Sequence, residues 1–221
     1  MTTRRVLVLA SATLALLAGC AVTPPPDWAI AAQGSLQRAV DAYLSGRGDV
    51  EAVEFARARQ EVARTGRADL LARAELTRCA TRVASLVFEP CAGFEALRAD
   101  APVAERVYAD FLAGRVAADD VALLPPQHRA VAAASAPVPL PDAEPLAQLV
   151  AAGVLLHTGR ADARVVAQAV DAASSQGWRR ALLAWLGVQQ RLAEQAGDAA
   201  EAARVQRRLD VVGQSGALAP R

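Results

Sequence analysis

Apolar residues recur every three or four positions along most of this chain. Leu36, Val40, Tyr43 and Leu44 fall at i, i+4, i+7 and i+8, the spacing that lines one face of an α-helix. A second helix is expected over 49–64. A third stripe runs through Leu76, Cys79, Ala80, Val83, Leu86 and Val87. Glu89-Pro90 is expected to end it, because proline disfavours helix in the residue before it. Residues 91–99 and 102–113 read as two shorter helices. The last third is the most regular. Leu146, Leu149, Val150, Gly153, Val154 and His157 form one stripe, and Val165, Val166, Ala169, Val170 and Ala173 form the next. Trp178, Leu182, Trp185, Gln189, Leu192 and Ala196 follow, then Ala202, Val205, Leu209 and Val212. No stretch sustains a two-residue alternation of β-branched residues, so strands have no support. The pattern predicts an all-α fold of stacked antiparallel helical hairpins, with about eight or nine helices.

The breaks between stripes share a chemistry. The string TGRAD occurs at Thr65–Asp69 and again at Thr158–Asp162, with variants at Gly46-Arg47-Gly48-Asp49 and Gly197-Asp198. Glycine just past a helix can cap its carbonyl end in the left-handed conformation. Aspartate two or three residues on can cap the next helix's amide end. Asp198 with Glu201 fits an aspartate version of the capping box. Arg47-Gly48-Asp49 therefore reads as a helix corner, not an adhesion tripeptide. One break is longer: 124–145 holds six of the twelve prolines and reads as an extended connector with one or two helical turns near Gln127–Ala134. The expected organisation is an N-terminal helical region at 28–115, a proline-rich connector at 116–143, C-terminal hairpins at 144–213 and a flexible tail at 214–221.

Composition supports helix and little else. Alanine, leucine, arginine and glutamate, all strong helix formers, dominate, and aromatic residues are 4%. All 24 basic side chains are arginine, against 23 acidic ones. That balance gives no argument for a nucleic-acid partner.

The first residues carry an address. Arg4 and Arg5 precede an apolar run over 6–16 and then small residues up to Cys20. This is the layout of a secretory signal peptide, and the run is shorter than the ~20 residues of a membrane-spanning helix. Leu17-Ala18-Gly19-Cys20 resembles the lipobox of bacterial lipoprotein precursors. The resemblance covers about the first tenth of the chain. It implies a diacylglyceryl group on the Cys20 sulfur and cleavage between Gly19 and Cys20, removing 1–19. Alanine, not aspartate, at position 21 implies the outer membrane, facing the periplasm. Residues 20–27 form the tether, and Pro24-Pro25-Pro26 holds it near 3.1 Å per residue, so it spans on the order of 20 Å.

Cleavage leaves two cysteines, Cys79 and Cys91. In an oxidising compartment such a pair reads as a disulfide, worth about 3 kcal/mol for a loop of this length. Two buried thiols or a redox pair are the alternatives, although the spacing is not C-x-x-C. The C-terminal region also resembles tetratricopeptide arrays: Gly153 and Gly187 lie 34 residues apart, that family's period. Leu183, Leu186 and Gly187 stand where its W-x-x-L-G pattern would lie, but Gln190 occupies the tyrosine position.

Candidate chemistry is sparse. His128 falls in the connector and is expected to be solvated. His157 is expected to pack or cap near a helix end. Two isolated histidines make a poor metal site, and no metal or cofactor is expected. No G-x-S-x-G, phosphate loop or H-E-x-x-H occurs. Asp119-Asp120 reads as a cap, Ser174-Ser175 as a loop, Trp178 and Trp185 as core, and Trp28 as packing on the first helix. The leading expectation is a non-enzymatic envelope scaffold or adaptor for a protein partner, anchored to the membrane through lipid on Cys20, with exposed apolar residues along a groove. A carrier of a lipid or small hydrophobe is the alternative and requires a large pocket between the helix groups. A peptidoglycan-acting enzyme is a further alternative and requires a cleft joining distant carboxylates near the connector.

Overall fold

The structure, a computed structural model, describes residues 24–216. Gly19 and Cys20, with the rest of the expected signal peptide and the start of the tether, lie outside the described residues, as do 217–221. Among the described residues there are ten α-helices and one 3-10 turn. The helices are α1 (Asp27–Leu44), α2 (Gly48–Ala63), α3 (Ala68–Ala84), α4 (Ala92–Glu95), α5 (Val103–Leu112), α6 (Pro126–Ala133), α7 (Pro145–His157), α8 (Ala163–Ser175), α9 (Arg179–Gln195) and α10 (Ala199–Ser215). The 3-10 turn spans Ala118–Leu123. The all-α class and the stacking of successive helices are as the periodicity predicts.

The two TGRAD corners begin alike and end differently. Gly66 and Gly159 both take left-handed backbone, at φ 67° and 69°. Their N–H groups close the preceding helices onto the carbonyls of Ala63 and Leu156, each at 3.1 Å. Both threonine hydroxyls donate back into those helices, Thr65 to Val62 at 2.6 Å and Thr158 to Val154 at 2.7 Å. The aspartates then diverge. Asp162 caps α8 by accepting from the Val165 N–H at 2.9 Å. Asp69 lies inside the first turn of α3 and takes a bidentate ion pair from Arg67 at 2.8 and 2.7 Å. Asp162→Ala should therefore cost about 1 kcal/mol, the usual worth of an N-cap. Asp69→Ala removes an exposed ion pair and no helix cap, and should cost less. Paired urea-unfolding curves check this; equal losses would show that both copies cap.

Helix α3 ends earlier than the sequence suggests. Leu86 adopts φ 64° and closes the helix through Leu86 N–H to Val83 O and Val87 N–H to Arg82 O, both at 3.0 Å. A leucine here does the job that glycine does at the other corners. Leu86 and Val87 therefore leave the helical stripe, and Pro90 plays no part in ending it.

Helix α3 is the centre of the stack. It packs against α1, α2, α4, α5 and α7. Half of its buried positions are alanines, Ala72, Ala74, Ala80 and Ala84, which let neighbours approach closely. Gly153 of α7 sits directly on it: a Cβ there would lie 2.5 Å from the Val83 carbonyl oxygen. Gly187 of α9 has no such neighbour; only the flexible Arg191 guanidinium comes within 3.8 Å. The two glycines 34 residues apart thus occupy unlike environments.

The proline-rich stretch carries α6 and then runs without helix over 134–144, as its sequence suggests, yet it packs into the fold. Its Leu124, Val131 and Leu140 belong to one apolar core that also holds Val40 and Leu76 from one side and Trp185 and Val205 from the other. Arg160 donates to the carbonyls of Val131 and Ala134, closing the C-terminal end of α6. Trp185 Nε1 donates to Ala84 O at 3.0 Å, and Arg180 Nε to Tyr43 O at 2.7 Å, so α9 is bonded to the ends of α3 and α1. Cys79 and Cys91 form a disulfide that ties α3 to the start of α4. Four buried glutamates each meet an arginine: Glu51 with Arg78 at 2.8 Å, Glu54 with Arg38 at 2.9 Å, Glu75 with Arg59, and Glu105 with Arg73. Buried carboxylates persist only when so paired.

Candidate functional site

A cavity of about 630 Å³ opens where α3, α5, α6 and the start of α7 meet. That size lies within the range of small-molecule sites. Each wall follows from local sequence. Arg73, Leu76, Thr77 and Ala80 line it from α3, at the i, i+3, i+4, i+7 spacing of one helix face. Leu146, Ala147 and Val150 line it from α7, and Ala104, Glu105 and Tyr108 from α5. The connector closes the remaining side. Pro125 and Pro126 force an extended entry and then a helix start. Leu124, His128 and Val131 fall at i, i+4 and i+7 and turn inward, each 2% exposed or less.

The lining is mainly apolar, with polar groups at defined places. Arg73 Nε donates to the Glu105 carboxylate at 3.0 Å. Arg129 Nε donates to Leu124 O at 2.8 Å. Glu144 is exposed on the rim. Of the polar lining residues His128 is the least exposed, at 2%, its ring 5.0 Å from Phe111 and 5.7 Å from Tyr108. Its Nδ1 is buried without a hydrogen-bond partner. Burial lowers the His128 pKa from the ordinary 6.5 to about 4 and raises that of the Tyr108 hydroxyl. At neutral pH the imidazole is uncharged. No family model, curated protein or solved structure matches this chain.

His128 is thus buried, not solvated as its proline-rich setting suggests. The helical spacing Leu124–His128–Val131 was the available signal, masked by the flanking prolines. His157 ends α7 exposed, its ring stacked on Phe88 at 4.4 Å, and borders a second cavity of about 360 Å³ beside the Cys79–Cys91 bond. Asp119 and Asp120 lie in the first turn of the 3-10 segment. Ser175 closes α8 by donating to Ala172 O at 2.9 Å. Trp178 and Trp185 are both core. Among the described residues no cluster of His, Cys, Asp and Glu is placed to hold a metal ion, and no helix is long and apolar enough to cross a membrane.

The lowered His128 pKa links stability to pH. Between pH 6.5 and 4 the unfolded chain binds a proton that the folded chain refuses, so stability falls as pH falls through that window. The loss should be about 3 kcal/mol by pH 4. Urea unfolding of wild type and His128→Phe at pH 7 and pH 4.5 isolates this contribution. An identical pH slope in the two proteins would show that His128 does not carry it.

Proposed function

We propose that this chain is a lipid-anchored, non-catalytic protein of the bacterial cell envelope that binds a small, mostly apolar ligand. The observation that supports binding is the apolar cavity of about 630 Å³ between helices from both sides of the connector. This is what the carrier reading requires and the scaffold reading does not. The anchor rests on Leu17-Ala18-Gly19-Cys20. Two or more acyl chains hold a protein on a bilayer stably, whereas one does not. The short proline tether would keep the start of α1 within on the order of 20 Å of the membrane, close to a source of apolar ligands. The adaptor reading keeps one observation of its own. Leu123, at the mouth of the cavity, is 43% exposed, so a partner's side chain could seat there.

Two variants of the full chain, made in a two-membrane bacterium, test the parts separately. Cys20→Ser should abolish fatty-acid labelling and leave unprocessed precursor; undiminished labelling would remove the anchor. Organic extraction of purified wild type should release a small apolar molecule at near-stoichiometric amount. Ala147→Trp, which fills the cavity, should release none. Equal recovery from both would remove the cavity as the binding site. A stoichiometric protein partner lost on filling the cavity would favour the adaptor.

A further inference from the structure

The last helix carries a face that the core does not use. Helix α10 fully buries Val205 alone. On another face Arg204, Arg207, Arg208, Val211 and Val212 follow at i, i+3, i+4, i+7 and i+8, the spacing of one helix stripe. Val211 is apolar and yet 69% exposed. This stripe walls a cavity of about 380 Å³ that shares no residue with the larger one. Helix α9 packs against both α8 and α10 and contributes Leu182 to the cavity, and Ser174 near the end of α8 completes the lining. The positive charge here is uncompensated. Glu201 takes up Arg204, accepting from its Nε and its Nη2 at 2.6 Å each. Asp210 accepts from Gln206 at 2.8 Å. Arg207 and Arg208 enter no ion pair among the described residues. No carboxylate lines this cavity, whereas Glu105 and Glu144 line the 630 Å³ cavity and Glu89 and Glu95 line the 360 Å³ one.

We propose that this second cavity binds a phosphate monoester with an apolar tail, its phosphate held by Arg207 and Arg208 and its tail laid on Leu182, Val211 and Val212. The site is separate from the larger cavity and does not rest on the ligand-binding reading above. A guanidinium presents a planar fork of donors that matches phosphate oxygens in pairs. A phosphate monoester carries about −1.5 to −2 at neutral pH, which balances two free guanidiniums. A carboxylate would balance one and leave the other. Inorganic phosphate would leave Val211 in water, and a neutral alcohol would leave both charges unmet. A lipid with a phosphate monoester headgroup and a soluble alkyl phosphate offer the same chemistry to this site.

The test uses the mature chain, residues 20–221 without its lipid, which contains every helix described above. Octyl phosphate, inorganic phosphate and 1-octanol are titrated by calorimetry at pH 8 and low salt. Octyl phosphate should bind about tenfold more tightly than either of the others, since each of them meets half of the site. Arg207→Gln combined with Arg208→Gln should weaken octyl phosphate at least about tenfold, the worth of one charge-assisted hydrogen bond. Arg191→Gln, which removes an exposed arginine outside the cavity, should change nothing. Val211→Ser should weaken octyl phosphate and spare inorganic phosphate. The neutral fluorophore N-phenyl-1-naphthylamine reports the larger cavity, and octyl phosphate should leave it in place. Phosphatidylcholine vesicles with and without phosphatidic acid separate the two sources. Retention on phosphatidic acid that the double variant loses would support the inference with a lipid headgroup as ligand; binding of octyl phosphate without retention would support it with a soluble ester. Octyl phosphate that binds no more tightly than inorganic phosphate or octanol, or that weakens equally in Arg191→Gln, would overturn the inference. So would octyl phosphate that displaces the fluorophore and binds the double variant as well as wild type, and that outcome would leave the larger cavity as a binding site.

Discussion

Trp185→Ala should destabilise the protein by about 4 kcal/mol, within the range for truncating a large buried aromatic. Two separate losses contribute. The Trp185 side chain is fully buried in α9, so its removal leaves a void at the meeting of the C-terminal hairpins with α3. Its Nε1 also donates to the Ala84 carbonyl at 3.0 Å. Ala84 is the last residue of α3, and the final carbonyls of a helix have no partner within it. Trp185→Phe keeps most of the volume and breaks only this bond, so it should cost about 1–2 kcal/mol. Single domains are stable by only about 5–15 kcal/mol, so the alanine variant should stand near the threshold of folding. Urea unfolding measures both variants. A loss below about 2 kcal/mol for Trp185→Ala would mean that α9 does not meet the end of α3 as described.

Gly153→Leu should cost more than about 3 kcal/mol, above the usual price of overpacking, while Gly187→Ala should stabilise by about 0.5–1 kcal/mol. At Gly153 an added Cβ would stand 2.5 Å from a backbone oxygen and 2.9 Å from Val83 Cγ1. The oxygen is backbone and cannot swing aside, so α7 must move off α3 and the cavity wall moves with it. At Gly187 the space is open to a flexible arginine, and replacing a mid-helix glycine removes backbone entropy from the unfolded chain. Thermal unfolding of both variants, together with N-phenyl-1-naphthylamine binding by the Gly153 variant, checks the pair. Equal effects at the two positions would mean that they are structurally equivalent, as a 34-residue repeat requires. The geometry argues that they are not.

The stripes of Leu36–Leu44, Val165–Ala173 and Trp178–Ala196 were legible because helix periodicity is a local property, set by 3.6 residues per turn. The glycine corners were legible for the same reason, since a left-handed cap is decided within five or six residues. The pairing of Cys79 with Cys91 was also within reach, because 12 residues is a short loop to close. The role of each TGRAD aspartate was not. The same five letters yield a cap at Asp162 and an ion pair at Asp69, because helix α3 begins one residue before its aspartate and α8 one residue after.

What the sequence alone determined is the all-helical class, the positions of most helices and, at the N-terminus, the pattern that argues for a lipid anchor. Only the tertiary structure decided that the connector is part of the core, that Gly153 is the close-contact glycine, and that His128 is buried beside a cavity. Each of these depends on which helix faces which. His128 is polar, sits among prolines and looks exposed locally. Tyr108 and Phe111, about twenty residues away in the chain, supply the surface that takes it out of water. Burial is a property of neighbours distant in sequence, and one chain read alone does not name them.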